Sequence, residues 1–190
     1  MELEKYNHKE QEKKISNYWI NGGFFKPKKT KLNKKFSVVI PPPNITGRLH
    51  MGHALNNSLQ DVLVRFHRMK GFETLWQPGT DHAGIATQAI VEKNLLKKGL
   101  NKNKLGREVF IEKVWKWKDE SGGIILDQLK KLGCSCDWSR TRFTMDKDLS
   151  KAVIKVFVDL YNNKLIYKDK KLVNWDTQLQ TAISDLEVDQ

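Results

Sequence analysis

The segment Phe36-Ser37-Val38-Val39-Ile40, followed at once by Pro41-Pro42-Pro43, constrains this chain more than any other feature of its 190 residues. A short β-branched run forms a strand, and three successive prolines have no N–H to donate, so the ladder must stop there. The chain then turns through Asn44-Ile45-Thr46-Gly47-Arg48. The spacing predicts a helix from near His50 to Met69, because Ala54, Leu55, Leu59, Val62, Leu63 and Phe66 recur at three and four residues and make one apolar face. Lys70-Gly71 ends it, Phe72–Trp76 reads as a second strand, and Pro78-Gly79 breaks that strand. Strand, helix and strand in this order make a βαβ unit, a parallel pair with a right-handed crossover.

The remainder supports an α/β fold. Residues 1–35 read as a helical arm (Glu10 to Ile20, stopped by Asn21-Gly22-Gly23) docked by Phe24 and Phe25, then a basic connector from Pro27 to Lys35. Further helices are expected over Ile85–Lys98, over Arg107–Lys131 with Gly122-Gly123 as the candidate interruption, and over Leu149–Asn162. The last of these should bury Val153, Val156, Phe157 and Leu160. Lys171–Trp175 reads as a late strand. No apolar run approaches the roughly 20 residues that span a bilayer, and the amino terminus has no secretory h-region, so the default compartment is the cytosol. The formal charge of +12 invites an anionic partner, but 28 of the 34 basic residues are lysines spread along the chain, which equally suits a solvated surface. Cys134 and Cys136 form a C-x-C, which is neither a zinc pairing nor a disulfide framework, and both read as reduced structural thiols.

The chemistry concentrates in Pro41-Pro42-Pro43-Asn44-Ile45-Thr46-Gly47-Arg48-Leu49-His50-Met51-Gly52-His53. In an open α/β sheet, ligands bind beyond the carboxyl ends of strands, beside helix amino termini whose free N–H groups and dipole favour phosphate. His50 and His53 are three apart and project from one side of the first turn, and Gly52 lets a flat group approach the backbone. Two imidazole donors there could stabilise charge on a phosphoryl group. The pair could also hold a metal, although no third ligand lies nearby, or simply cap and pack the helix. On the residues alone these readings stay open. Asp81, after Pro78-Gly79-Thr80, is a carboxylate at a strand end or an N-cap for the following helix.

His50-Met51-Gly52-His53 resembles the HIGH signature of class I aminoacyl-tRNA synthetases. Its flanks are more specific. Pro41–Gly47, Pro78–Gln88, Cys136–Asp146, and Val173–Asp176 with Thr181–Val188 are all similar to the valyl branch, in its order. The first two strings differ from those of the isoleucyl and leucyl branches. The resemblance implies the first half of a Rossmann-like, HUP-type catalytic domain over residues 36–190, with the arm and connector of residues 1–35 before it. It implies ATP contacts for Asn44, His50, Gly52 and His53, the two histidines being catalytic. It assigns the amino-acid pocket to Pro41, Pro42 and Asn44, with Asp81 receiving the valine ammonium, and sets Trp76 and His82 at the pocket walls. The tracts around Trp138 and Trp175 are expected to support the fold.

The implied reaction activates valine with ATP to valyl-adenylate and passes the acyl group to tRNA(Val), magnesium travelling with the ATP. The full enzyme would be monomeric and without a membrane role. No KMSKS-type lysine loop occurs in the chain, and Asp185–Val188 falls where family members enter the editing domain. The chain by itself is therefore expected to lack activity. The other reading is a standalone nucleotide- or RNA-binding module derived from a synthetase. No zinc is expected, since Asn174–Gln178 carries no cysteine.

Overall fold

The computed structural model describes residues 6–188. An arm helix, α1 (His8–Asn21), precedes strand β1 (Lys35–Val39), helix α2 (Met51–Met69) and strand β2 (Glu73–Gln77). β1 and β2 are parallel, with Val38 opposite Trp76 and Val39 opposite Gln77, as the βαβ pattern predicts. Ile40 extends the ladder by one bond, its N–H donating to the Gln77 carbonyl at 3.0 Å. The prolines that follow have no hydrogen to give, and the strand ends.

After Pro78 the chain forms β3 (Gly79–Thr80), then helices α3 (Gly84–Leu96), α4 (Lys102–Leu105) and α5 (Arg107–Lys131), then β4 (Arg142–Phe143). β3 and β4 pair in parallel. The backbones approach so closely that a Cβ on Gly79 would lie 2.8 Å from the Arg142 carbonyl oxygen, which only glycine avoids. α5 runs unbroken through Gly122-Gly123. Glycine inside a helix costs about 1 kcal/mol relative to alanine. Here Ser121, Gly122, Ile125 and Leu129 form the buried stripe, and packing outweighs that preference. The core gathers Ile40, Ile45, Val64, Trp76, Ile125, Leu129, Cys134, Cys136 and Phe143.

α2 departs from expectation. Its apolar stripe is not the buried one: Leu55, Leu59, Val62, Leu63 and Phe66 are all exposed, and the fully buried residues are Asn57 and Val64. Beside Val64, which joins the core, the inward side carries polar groups with fixed partners in the 133–136 loop. The Asp61 carboxylate accepts the Ser135 N–H at 3.0 Å and pairs with the Arg65 Nε at 2.7 Å. Arg65 donates to the Gly133 carbonyl at 2.9 Å, and Arg68 to the Ser135 carbonyl at 2.7 Å. Hydrogen bonding to that loop, together with Val64 packed in the core, sets which side faces inward.

The same arginines seat the arm. Arg65 lies 5.2 Å over the Trp19 ring and Arg68 5.6 Å over Phe25, whose carbonyl Arg68 also holds at 3.0 Å. Phe24 instead packs on Tyr18.

Residues up to Lys147 form one compact unit, and those from Asp148 form a second. The second unit holds most of α6 (Lys147–Asn162) and an antiparallel hairpin, β5 (Asn174–Asp176) with β6 (Thr181–Ile183). The hairpin turns at Asp176, whose Oδ1 accepts the N–H groups of Gln178 at 2.9 Å and Leu179 at 2.6 Å. That side-chain turn places the late strand a few residues beyond Lys171 and adds an antiparallel pairing to the parallel ones. No residue of α6 is buried; Val153, Val156 and Phe157 are exposed, against the sequence expectation. One helix and a short hairpin carry too little apolar surface to enclose a helix face. Trp175 is likewise exposed, whereas Trp138 packs against the core of the first unit.

Candidate nucleotide and amino-acid site

His50 is the N-cap of α2, with extended backbone at φ −118° and ψ 175°. Its Nδ1 accepts the Gly52 N–H at 3.1 Å, while the His53 Nδ1 accepts the His50 N–H at 3.2 Å. The two side chains therefore satisfy helix-end N–H groups reciprocally. The rings lie 3.9 Å apart, inclined at 50°. A nitrogen that accepts carries no hydrogen, so each neutral ring bears its proton on Nε2. Burial pushes the His53 pKa below its ordinary value, and the neighbouring His50 lowers it further, which keeps that ring neutral. Gly52 has a reason the sequence did not suggest: a Cβ there would lie 2.9 Å from the His50 ring.

The loop before the helix is pinned by α5. The Ile45 carbonyl accepts the Trp117 indole N–H at 2.7 Å and the Ser121 hydroxyl at 3.2 Å, and the Leu49 N–H donates to Gln128 Oε1 at 3.0 Å. Asn44 and Asp81 meet as an isolated parallel bridge. Around it the Asp81 N–H donates to the Pro43 carbonyl at 2.8 Å, and Ile45 N–H to the Asp81 carbonyl at 3.0 Å. Pro41, Pro42 and Asn44 are exposed beside this stitch, and Pro43 is buried.

Asp81 does not cap α3. The N-cap position is Ala83, in the left-handed region at φ 51°, with no side-chain cap. The Asp81 carboxylate instead accepts the Thr144 hydroxyl at 2.7 Å and lies 3.2 Å from the His82 Nδ1. Thr144 arrives there because β4 pairs with β3, its own N–H donating to the Thr80 carbonyl at 3.1 Å. Sequence reasoning missed Thr144, Trp117, Ser121 and Gln128, since no local spacing links them to residues more than sixty positions away.

Trp76 is not a pocket wall. It is fully buried in the core, with its indole N–H on Gln60 Oε1 at 3.1 Å. His82 does line a cavity of about 280 Å³, with Ile45, Thr87, Phe110, Trp115 and Phe143. A second cavity of about 450 Å³ lies between α3 and α5, lined by Val91, Leu95, Trp117 and several lysines. Neither is lined by Pro41, Pro42, Asn44, His50, Gly52, His53 or Asp81; of these His53 and Asp81 are half-buried and the others exposed. The Cys134 thiol is pushed up to about 12 by burial, and Cys136 is driven upward in the same way, so both remain protonated. Among the described residues no group of His, Cys, Asp and Glu is arranged to hold a metal ion, and no helix is long and apolar enough to cross a membrane.

The parallel βαβ unit, its proline stop and the histidine pair at the helix start fit the class I synthetase frame that the sequence resembles. A family profile described as tRNA synthetases class I (I, L, M and V) matches residues 14–190, and the chain belongs to that family. Within it, the chain is similar along its whole length to valine–tRNA ligases. It is 70% identical to that of Pelagibacter ubique strain HTCC1062 over 190 residues, all of this chain and 22% of the relative. To the valine–tRNA ligase of Mesorhizobium japonicum it is 61% identical, covering 99% of this chain and 21% of the relative. The chain thus spans about a fifth of the length of the curated relatives it matches. Among solved structures it is similar to the Agrobacterium radiobacter K84 agnB2 LeuRS–tRNA–LeuAMS ternary complex. The TM-score is 0.76 and the identity 25%, over 95% of this chain and 21% of that one.

Proposed function

We propose that this chain carries the histidine side of a site that activates valine with ATP for transfer to tRNA(Val), within a longer, cytoplasmic and monomeric valine–tRNA ligase. On this reading residues 1–35 are an arm and connector, and residues 36–190 belong to the first half of the catalytic domain. The observation that carries it is the reciprocal cap. Both Nδ1 atoms are occupied by backbone N–H groups, and among the described residues neither Nε2 has a hydrogen-bond partner. Two neutral N–H donors at a helix amino terminus suit phosphate oxygens better than a metal, which would need a bare lone pair on Nε2.

In the proposed reaction the valine carboxylate oxygen attacks the α-phosphorus of ATP, forming the acyl–phosphate bond and releasing pyrophosphate. The His50 and His53 Nε2–H groups hydrogen-bond to phosphoryl oxygens as charge shifts onto them, and no proton needs to leave either ring. Asn44 and Gly52 border the nucleotide. Pro41, Pro42 and Asn44 line the amino-acid side, and the Asp81 carboxylate pairs with the valine ammonium. Magnesium would come with ATP, held by phosphate oxygens and water, and would neutralise phosphate charge. The lysine loop expected from the resemblance is not supplied by this chain, so the activity is assigned to the longer protein.

The test is ATP affinity of the chain measured calorimetrically beside His50→Ala and His53→Ala. Each loss should weaken binding about tenfold, the scale of one hydrogen bond to a charged group. Unchanged affinity in both variants would overturn the assignment.

A further inference from the structure

We propose that Thr144 is a positioning residue, holding the Asp81 carboxylate and the His82 imidazole in one fixed arrangement that presents Asp81 to a substrate ammonium. This rests on the reading of Asp81 as the ammonium site and extends it to residues that neither the family assignment nor the similar proteins identify.

The Thr144 Oγ1 has one hydrogen and two lone pairs. It lies 2.7 Å from Asp81 Oδ1, 3.0 Å from the His82 backbone nitrogen and 2.7 Å from His82 Nδ1. A carboxylate oxygen cannot donate, so the threonine hydrogen goes to Asp81. The backbone N–H must donate to Oγ1. The remaining contact is satisfied only if Nδ1 carries a hydrogen, which also lies toward Asp81 Oδ1 at 3.2 Å. The opposite tautomer would set a nitrogen lone pair against both the hydroxyl oxygen and the carboxylate. All three positions on the threonine oxygen are then used, and His82 is Nδ1–H, the reverse of His50 and His53.

The arrangement is built rather than adventitious, because each member is fixed from behind. Thr144 is carried by the β3–β4 pairing, Asp81 by its bridge to Asn44, and the His82 carbonyl by the Thr87 hydroxyl at 2.7 Å. With Oδ1 saturated by Thr144 and His82, the carboxylate meets an incoming ammonium through Oδ2. Its side chain is 31% exposed, enough for a ligand to reach it. An aspartate so held loses little freedom on binding, which favours an amino acid over the matching carboxylic acid without the amine.

Thr144→Val removes the hydroxyl and keeps the shape, while Thr144→Ser keeps the hydroxyl, and circular dichroism establishes that both fold. Imidazole ¹⁵N spectra of the chain decide the proposal itself. His82 should show a protonated Nδ1 in the native chain and in Thr144→Ser; in Thr144→Val the Nδ1 hydrogen is left with Asp81 Oδ1 alone, and its ¹⁵N signal should shift. A His82 spectrum indifferent to Thr144→Val, or an unprotonated Nδ1 in the native chain, overturns it. Titration with valine and with isovalerate separates the underlying reading. Thr144→Val should weaken valine binding about tenfold and leave isovalerate within twofold. Should the His82 spectrum change while valine affinity does not, Asp81 is not the ammonium site, although Thr144 still orders it.

Discussion

His50 and His53 cap one another at the start of α2, each lending its Nδ1 to a backbone N–H, so that both rings are held with the Nε2 hydrogen free. Gly52 is the space that makes this possible. In Gly52→Ala the new methyl would meet the His50 ring at 2.9 Å, and the ring, being a side chain, would swing away. The expected cost is the cap, about 1 kcal/mol in the melting equilibrium. The larger effect should be on ATP, with affinity reduced about tenfold by loss of the His50 donor. A variant that melts normally and binds ATP normally would dissociate the cap from the site.

pH acts through His53. Its folded pKa lies below the unfolded value because burial and His50 both oppose the charged ring. Between the two values the unfolded chain binds more protons, so stability rises with pH there. This contribution is fully present above the unfolded value near 6.5 and is lost as pH falls through the folded value. Protonation also removes the Nδ1 lone pair that accepts the His50 N–H. Melting temperature followed downward from pH 7.5 should decline with the NMR titration of His53, and His53→Gln should flatten that part of the profile.

Gly79→Ala tests how Thr144 reaches Asp81. A methyl 2.8 Å from the Arg142 carbonyl meets backbone rather than a movable side chain, so β3 and β4 must separate. The expected loss is about 1–3 kcal/mol, the cost of overpacking. The hydrogen bond between Thr144 and Asp81 should break with it, which denaturant melts and the His82 ¹⁵N spectrum would report together.

The thiols give a test of burial. Cys134, pushed up to about 12, and Cys136, displaced the same way, are almost wholly protonated at neutral pH. Iodoacetamide at pH 8 should leave both unmodified in the folded chain and alkylate both rapidly in denaturant, as mass spectrometry would show.

The frame of this fold was legible because it is written locally. A β-branched run, a proline stop and a helix period specify β1, α2 and β2 without distant partners. The same period misled about α2's orientation. Asp61, Arg65 and Arg68 face inward only because Gly133 and Ser135 wait there, about seventy residues on. Gly122-Gly123 read as a break for a similar reason, since helix propensity ignores the packing of Ile125 and Leu129. In the site, the spacing of His50 and His53 was visible, and so was an aspartate at a strand end. Thr144, Trp117 and Gln128 were not, because the parallel pairing and helix docking that deliver them leave no trace in spacing.

The imidazole ¹⁵N spectrum of the chain at pH 7.5, with and without ATP, tests whether His50 and His53 offer their Nε2 hydrogens to nucleotide. Both His50 and His53 should show unprotonated Nδ1 and protonated Nε2 before nucleotide, and ATP should shift both Nε2 signals while Nδ1 stays unprotonated. Protonated Nδ1 atoms in the free protein, or ATP that leaves both rings unmoved while perturbing other residues, would contradict the account.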